Sequence, residues 1–117
     1  MNATPVLAAV LVVAFALLGS AKLAAVPAMR ARAAHVGFGV DAYRRIGALE
    51  VLAVLGILVG AAVPVIGVLA ATGLVLLLSG AVITHLRNGD GFREIAPSLV
   101  LGAVAVAFVF LVVGDIR

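Results

Sequence analysis

The sequence predicts an all-α membrane protein, a transmembrane four-helix bundle with antiparallel neighbours. Three observations carry that expectation. The 117-residue chain is 66% hydrophobic and only 11% charged, with a mean hydropathy of +1.38. Soluble domains are about 45–50% apolar and about 25% charged, so this chain has too little polar surface to cover a water-soluble domain, and a bilayer must solvate its exterior. The apolar residues fall into runs of about 20, the length that crosses a hydrocarbon core, and most of the charged residues lie between those runs. A single domain, residues 1–117, uses the whole chain, with no linker, low-complexity tail or convincing internal repeat.

The first span is expected at about residues 5–26, because Pro27 disfavours helix at the residue before it. Val6–Leu18 followed by Gly19-Ser20-Ala21 also resembles a secretory signal with a small-residue cleavage site. No Lys or Arg precedes it, however, and the apolar character continues past Ala21, which favours a span. The second and third spans are expected at about 43–63 and 65–85, turning at Pro64 in the uncharged stretch 60–67. Asn88-Gly89-Asp90-Gly91 is a strong turn signal. The fourth span is expected at about 95–114, with Pro97 in its first turn and Glu94 near the positive end of the helix dipole. Between the first two spans, Met29, Arg30, Arg32, His35, Val36 and Phe38 fit a short interfacial helix limited by Gly37 and Gly39. That helix reads either as an interfacial connection with snorkelling arginines or as a lid over the bundle.

Orientation follows from Lys and Arg in short loops. Arg30, Arg32, Arg44 and Arg45 lie in or just after the first connection, Arg87 and Arg93 in the third, and none in the second. Loops 27–42 and 86–94 are therefore expected in the cytoplasm and both termini outside. The net charge of +3 and pI of about 10.7 are accounted for by this asymmetry and by anionic lipid headgroups, with no nucleic-acid partner. The chain has no cysteine, which removes disulfides, thiolate metal sites and thiol redox chemistry.

Three ionisable residues interrupt the apolar pattern. Glu50 lies seven residues into the second span, roughly 10 Å along a helix at 1.5 Å per residue. Lys22 lies about one turn before the first span ends, and His85 closes the third. Insertion scales charge roughly 2.5–3.5 kcal/mol for such a group at a helix centre, so each asks for a partner or a purpose. Glu50 is expected to be neutral, paired with Lys22, or hydrogen-bonded to His85 or Tyr43. The cluster reads either as a register-fixing ion pair or as a ligand-facing, proton-handling site. No spacing of carboxylates and histidines resembles a metal site. Gly19, Gly47, Gly56, Gly60, Gly73 and Gly80 are expected to let helices pack closely, as small residues do in membranes.

Three segments carry a family resemblance: F-A-L-L-G-S-A-K-L at Phe15–Leu23, R-R-I-G-A-L-E-V-L-A-V-L-G at Arg44–Gly56, and A-A-T-G-L-V-L-L-L-S-G-A-V-I-T-H-L-R at Ala70–Arg87. Together they resemble the DoxX-like family of small bacterial membrane proteins. The resemblance implies a four-helix membrane fold, an association with redox complexes in some relatives, and recurrent positions at Gly19, Lys22, Gly47, Glu50, Gly80 and His85. The functional expectation is a redox-associated accessory subunit without catalytic activity of its own. It would bind a quinone-like or other lipophilic ligand at Glu50, Lys22 and His85, with Tyr43 beside them; quinone is the candidate cofactor. The alternatives are a proton-coupled small transporter and a non-catalytic membrane scaffold or assembly protein. The expected partners are the lipid bilayer, membrane or redox proteins, and a second copy of the chain.

Overall fold

The computed structural model describes residues 3–117. Five helices, and no strand among those residues, make up the chain: α1 Thr4–Ala24, α2 Pro27–His35, α3 Val40–Val59, α4 Pro64–Arg87 and α5 Phe92–Ile116.

The helix ends follow local chemistry and refine the expected limits. α1 stops at Ala24, short of Val26, because Ala25 adopts the left-handed conformation (φ 52°, ψ 47°). The Ala25 and Val26 N–H groups then donate to the Lys22 and Ala21 carbonyls at 3.1 and 3.2 Å, which satisfies carbonyls the helix end would otherwise orphan. This position usually goes to glycine, and an L-residue there costs about 1–2 kcal/mol. Val26 is extended (ψ 155°), as a residue before proline must be. α3 begins at Val40 and ends at Val59, so Gly60–Val63 form the turn through bonds such as Val63 N–H to Val59 O at 2.9 Å. Pro64 opens α4 in the first-turn position that suits it. α5 begins at Phe92, after an extended Gly91, three residues before the expected Ile95. Pro97 therefore sits inside the helix, not in its first turn, and withholds an N–H from the Arg93 carbonyl.

α1 packs against α3 and α5, and α4 packs against the same two helices, while α2 rests on α3. Leu11, Phe15, Val54, Ile57, Leu74, Leu78 and Phe108 meet in the core. The outside is as apolar as the inside: Leu17 and Leu76 are 68% and 69% exposed, and Phe110 is 74% exposed. Such a surface belongs in hydrocarbon. α1, α4 and α5 are long and apolar enough to cross a membrane. α3 has 20 residues but carries Asp41, Arg44, Arg45 and Glu50, so composition alone does not single it out as a fourth span.

Glycines set the closest approaches. A Cβ on Gly60 would lie 2.6 Å from Gly67 Cα, and one on Gly56 would lie 2.7 Å from Ala70 Cβ. α3 and α4 therefore touch backbone to backbone beside their turn. Gly73 and Gly80 depart from expectation, since a Cβ on either meets no atom within 4 Å. α4 buries Gly67, Ala71, Leu74 and Leu78, and the helical period turns Gly73 and Gly80 away from that face.

These contacts make a paired prediction. Gly60→Ala overpacks the α3–α4 crossing and destabilises the protein by about 1–3 kcal/mol. Gly80→Ala meets open space and raises stability by up to about 1 kcal/mol through helix propensity. Unfolding of the two variants in detergent, followed by circular dichroism, checks the opposite signs.

Candidate functional site

Two glycines build the site. A Cβ on Gly19 would fall 3.2 Å from Glu50 Cβ and 3.0 Å from the Gly47 carbonyl oxygen. A Cβ on Gly47 would fall 2.6 Å from Lys22 Cβ and 2.7 Å from the Gly19 carbonyl oxygen. Each glycine thus faces the ionisable residue of the other helix, one turn from its own. The missing side chains make room for the Lys22 stem and for Glu50 where α1 and α3 are almost in backbone contact. Lys22 Nζ reaches Glu50 Oε1 at 2.8 Å. Lys22 and Glu50 are only 8% and 4% exposed, the two buried charged residues of the core.

Tyr43 stands one turn before Gly47 on α3, with its ring centroid 5.4 Å from Lys22 Nζ. That distance suits a cation–π contact. Phe38 packs edge-on against Tyr43, ring centroids 6.4 Å apart. α2 covers this end: Met29 and Ala33 are buried, and Arg30 Nε donates to the Ala25 carbonyl at 2.9 Å. A cleft lined by Lys22, Ala25, Met29, Arg30, Val40 and Tyr43 lies beneath α2 and has no room for a water-sized molecule. Chemically, the pair offers one ammonium with three N–H donors and one carboxylate acceptor, held out of bulk water. A second, larger concavity is an open apolar groove between α3 and α4, lined by residues such as Leu52, Gly56, Leu69, Gly73 and Leu76. It offers no charged side chain.

The structure brings Lys22, Glu50 and Tyr43 together and takes His85 elsewhere. His85 Nδ1 lies 2.6 Å from Asp90 Oδ2, and His35 Nε2 from α2 lies 2.8 Å from Asp90 Oδ1. His85 has no hydrogen bond to Glu50 or Lys22 among the described residues. The reason is the turn after α4. Gly89 adopts φ 74°, which lets the Asp90 N–H return to the His85 carbonyl at 3.0 Å and sets the Asp90 carboxylate beside the His85 ring. The His85 bond, followed by smaller contributions from His35 and Asn88, holds the Asp90 carboxyl below its ordinary value of 3.8. An ionised Asp90 requires His85 to carry its hydrogen on Nδ1 and His35 on Nε2. Asn88 Nδ2, a donor, then bonds the Asp90 Oδ1 at 3.1 Å and the His35 carbonyl at 3.2 Å. Its 3.4 Å approach to His35 Nε2 sets donor against donor. The first and third connections therefore meet at one end of the molecule. The sequence reads Asn88-Gly89-Asp90 as turn chemistry alone and His35 as one residue of the interfacial connection. The available signal was one acid in a turn directly after a helix-terminal histidine.

Long apolar helices, a lipid-like exterior and an ion pair confined between helices define an integral membrane protein. The chain belongs to the DoxX-like family, whose sequence pattern matches residues 6–108, most of its length. No curated protein and no solved structure matches it.

Two expected outcomes follow from the geometry. Lys22→Met strands a buried carboxylate and destabilises by about 3–5 kcal/mol, whereas Lys22→Met combined with Glu50→Leu comes close to neutral; unfolding free energies of the single and double variants decide this. The Asp90 clasp responds to acid. Because the folded pKa is depressed, its contribution is complete above 3.8 and is lost as pH falls through the lower folded value. Melting temperatures between neutral pH and strong acid should show this loss as a difference from Asp90→Asn, which lacks the titrating group.

Proposed function

We propose that the protein is a four-span membrane accessory protein that binds a lipophilic, quinone-like ligand through Lys22 and Glu50, in a redox-associated role without catalysis of its own. The observation that carries this reading is the buried Lys22–Glu50 pair, 2.8 Å apart, whose lysine lies by the Tyr43 ring and lines a cleft with Met29 and Arg30 of α2. α3 acts as the fourth span. Asp41, Arg44 and Arg45 stand in its first turns, at the headgroup level, and Lys22 neutralises Glu50, the one acid deeper in. The loops at 27–42 and 86–94 face the cytoplasm, and both termini lie outside, as the arginine distribution supports.

Each residue has a role suited to its chemistry. Lys22 donates to a carbonyl oxygen of the ligand head, since Glu50 engages only part of its donor capacity. Glu50 holds the ammonium in place and accepts a proton that the quinol form of the ligand releases when a redox partner protein takes its electrons. Tyr43 presents a flat aromatic face for a ring to pack on. His85 acts on Asp90 and stays outside the ligand shell. Family membership places the chain among membrane proteins, and the redox association rests on the resemblance of its motifs to those relatives.

A structural reading has its own support. The pair is mutually neutralised and the cleft beside Lys22 has no room for a water-sized molecule, as a helix-pairing device in a scaffold protein would be. Binding of a radiolabelled short-chain benzoquinone to protein in lipid nanodiscs separates the two. The proposal expects saturable binding that falls at least about tenfold, or about 1.4 kcal/mol, in Glu50→Gln and in Lys22→Met. Equal binding by wild type and both variants, each checked to be folded, leaves only the structural role.

A further inference from the structure

The turn after α4 does more than reverse the chain. An α-helix ends with carbonyls that find no partner within the helix. One of those at the end of α2, the His35 carbonyl, is taken by the Asn88 side-chain amide at 3.2 Å. The His35 ring is taken by Asp90 at 2.8 Å, and Asp90 is fixed in turn by His85 at 2.6 Å. The turn therefore caps a helix to which it is not adjacent in sequence, across a separation of 55 residues between His35 and Asp90. At its other end, α2 hangs on Ala25, a non-glycine residue at φ 52°. Between these two points it buries only Met29 and Ala33. Through Met29 and Arg30 it also lines the cleft beside Lys22, which has no room for a water-sized molecule.

A short helix with two buried side chains, a strained connection at one end and a polar clasp at the other has little apolar burial to hold it down. Its docking rests on the clasp. We propose that α2 is a hinged lid over Lys22 and Glu50, latched shut by Asn88, Asp90 and His85, and that release of this latch opens the ion pair to the aqueous side. The opening pivots at Ala25, where helix has already given way to turn, and leaves the α1–α3 crossing at Gly19 and Gly47 intact. This inference rests on the ligand-site reading only for its purpose; the latch is a property of the unliganded protein. The groups acting on Asp90 are His35 from α2, His85 from α4 and Asn88 from the turn itself.

The cysteine-free chain suits a direct test. Nitroxide labels at Ala31→Cys on α2 and Arg93→Cys on α5, both at exposed positions, report the lid by pulsed electron resonance in nanodiscs without any quinone. A control pair at Leu17→Cys and Leu52→Cys, also exposed, reports α1 against α3. The latch predicts one compact distance in the parent and an added, longer population in Asp90→Ala and in His35→Ala, with the control pair unmoved. A second readout is alkylation by a water-soluble maleimide at Met29→Cys, buried at 6% exposure. It should accelerate at least about tenfold with Asp90→Ala, the factor expected for loss of one hydrogen bond to a charged group. If Asp90→Ala also disturbs the control pair, the exposed His35→Ala decides the matter. Unchanged distances and alkylation in His35→Ala overturn the latch and leave the quinone site to its own binding assay. A lid that opens while quinone binding stays the same in Glu50→Gln upholds the latch and counts against the site.

Discussion

The ion pair between Lys22 and Glu50 is the constraint around which the rest is arranged. Two charges taken out of water recover their desolvation only with close geometry, and 2.8 Å between helices demands that the backbones come close as well. Only glycine permits that here. The space a side chain would need at Gly19 and Gly47 is taken by the other helix, its charged residue included, so a larger residue at either position would force the pair apart. The pairing also selects register. Sliding α1 against α3 by one turn would seat Lys22 and Glu50 against apolar neighbours, at a cost of several kcal/mol for each unpaired charge. In hydrocarbon, where no hydrophobic force drives helices together, such a penalty specifies a packing arrangement that leucines alone do not.

The two ends of the molecule obey different rules. At the end formed by Gly60–Val63, α3 and α4 are joined by a short turn and sealed by Gly60 on Gly67 and Gly56 on Ala70. No polar side chain is among the nearest atoms at that contact. At the other end the helices carry Asp41, Arg44, Arg45, Arg87 and Arg93, and a separate helix lies across them. Besides the buried Met29 and Ala33, it is attached by His35, whose ring bonds Asp90 and whose carbonyl accepts from Asn88. Regions with few buried apolar contacts open at lower free energy than the core. The chain therefore places its ion pair below the end that opens most readily.

Much of this was legible in the sequence because bilayer physics is written in composition. Runs of apolar residues between clusters of arginine identify the helices, and one acid in such a run draws attention to Glu50. Depth along the helices offered Lys22, His85 and Tyr43 alike as partners, and the structure pairs Glu50 with Lys22. The limits of the helices were less legible. Ala25 in a left-handed conformation has no sequence signature, since that place normally announces itself with glycine. Gly73 and Gly80 look like packing residues by spacing, but periodicity says which residues share a face and not which neighbour that face meets. α4 turns Ala71, Leu74 and Leu78 inward, and the glycines follow to the outside. His85 was legible as an unusual residue, yet its partner was not, because Asp90 is brought to it by a turn whose geometry depends on φ at Gly89.

That last point bears on how the site works. Depth along a helix placed His85 with Glu50, and the turn instead commits it to Asp90 and, through Asp90, to α2. A histidine at this position thus has a mechanical role: it orients the carboxylate that holds the covering helix. The two polar groupings are consequently separate in bonding but joined in function by α2, which touches Lys22's cleft at Met29 and Arg30 and the clasp at His35. A change at Asp90 reaches Lys22 through one rigid helix of nine residues, with no chain of intervening side chains required. Such a division suits the ligand site proposed for the charge pair. The pair stays neutral and dry while the lid is docked, and the energy that governs access resides in hydrogen bonds at the water-facing end, where water competes for them on equal terms.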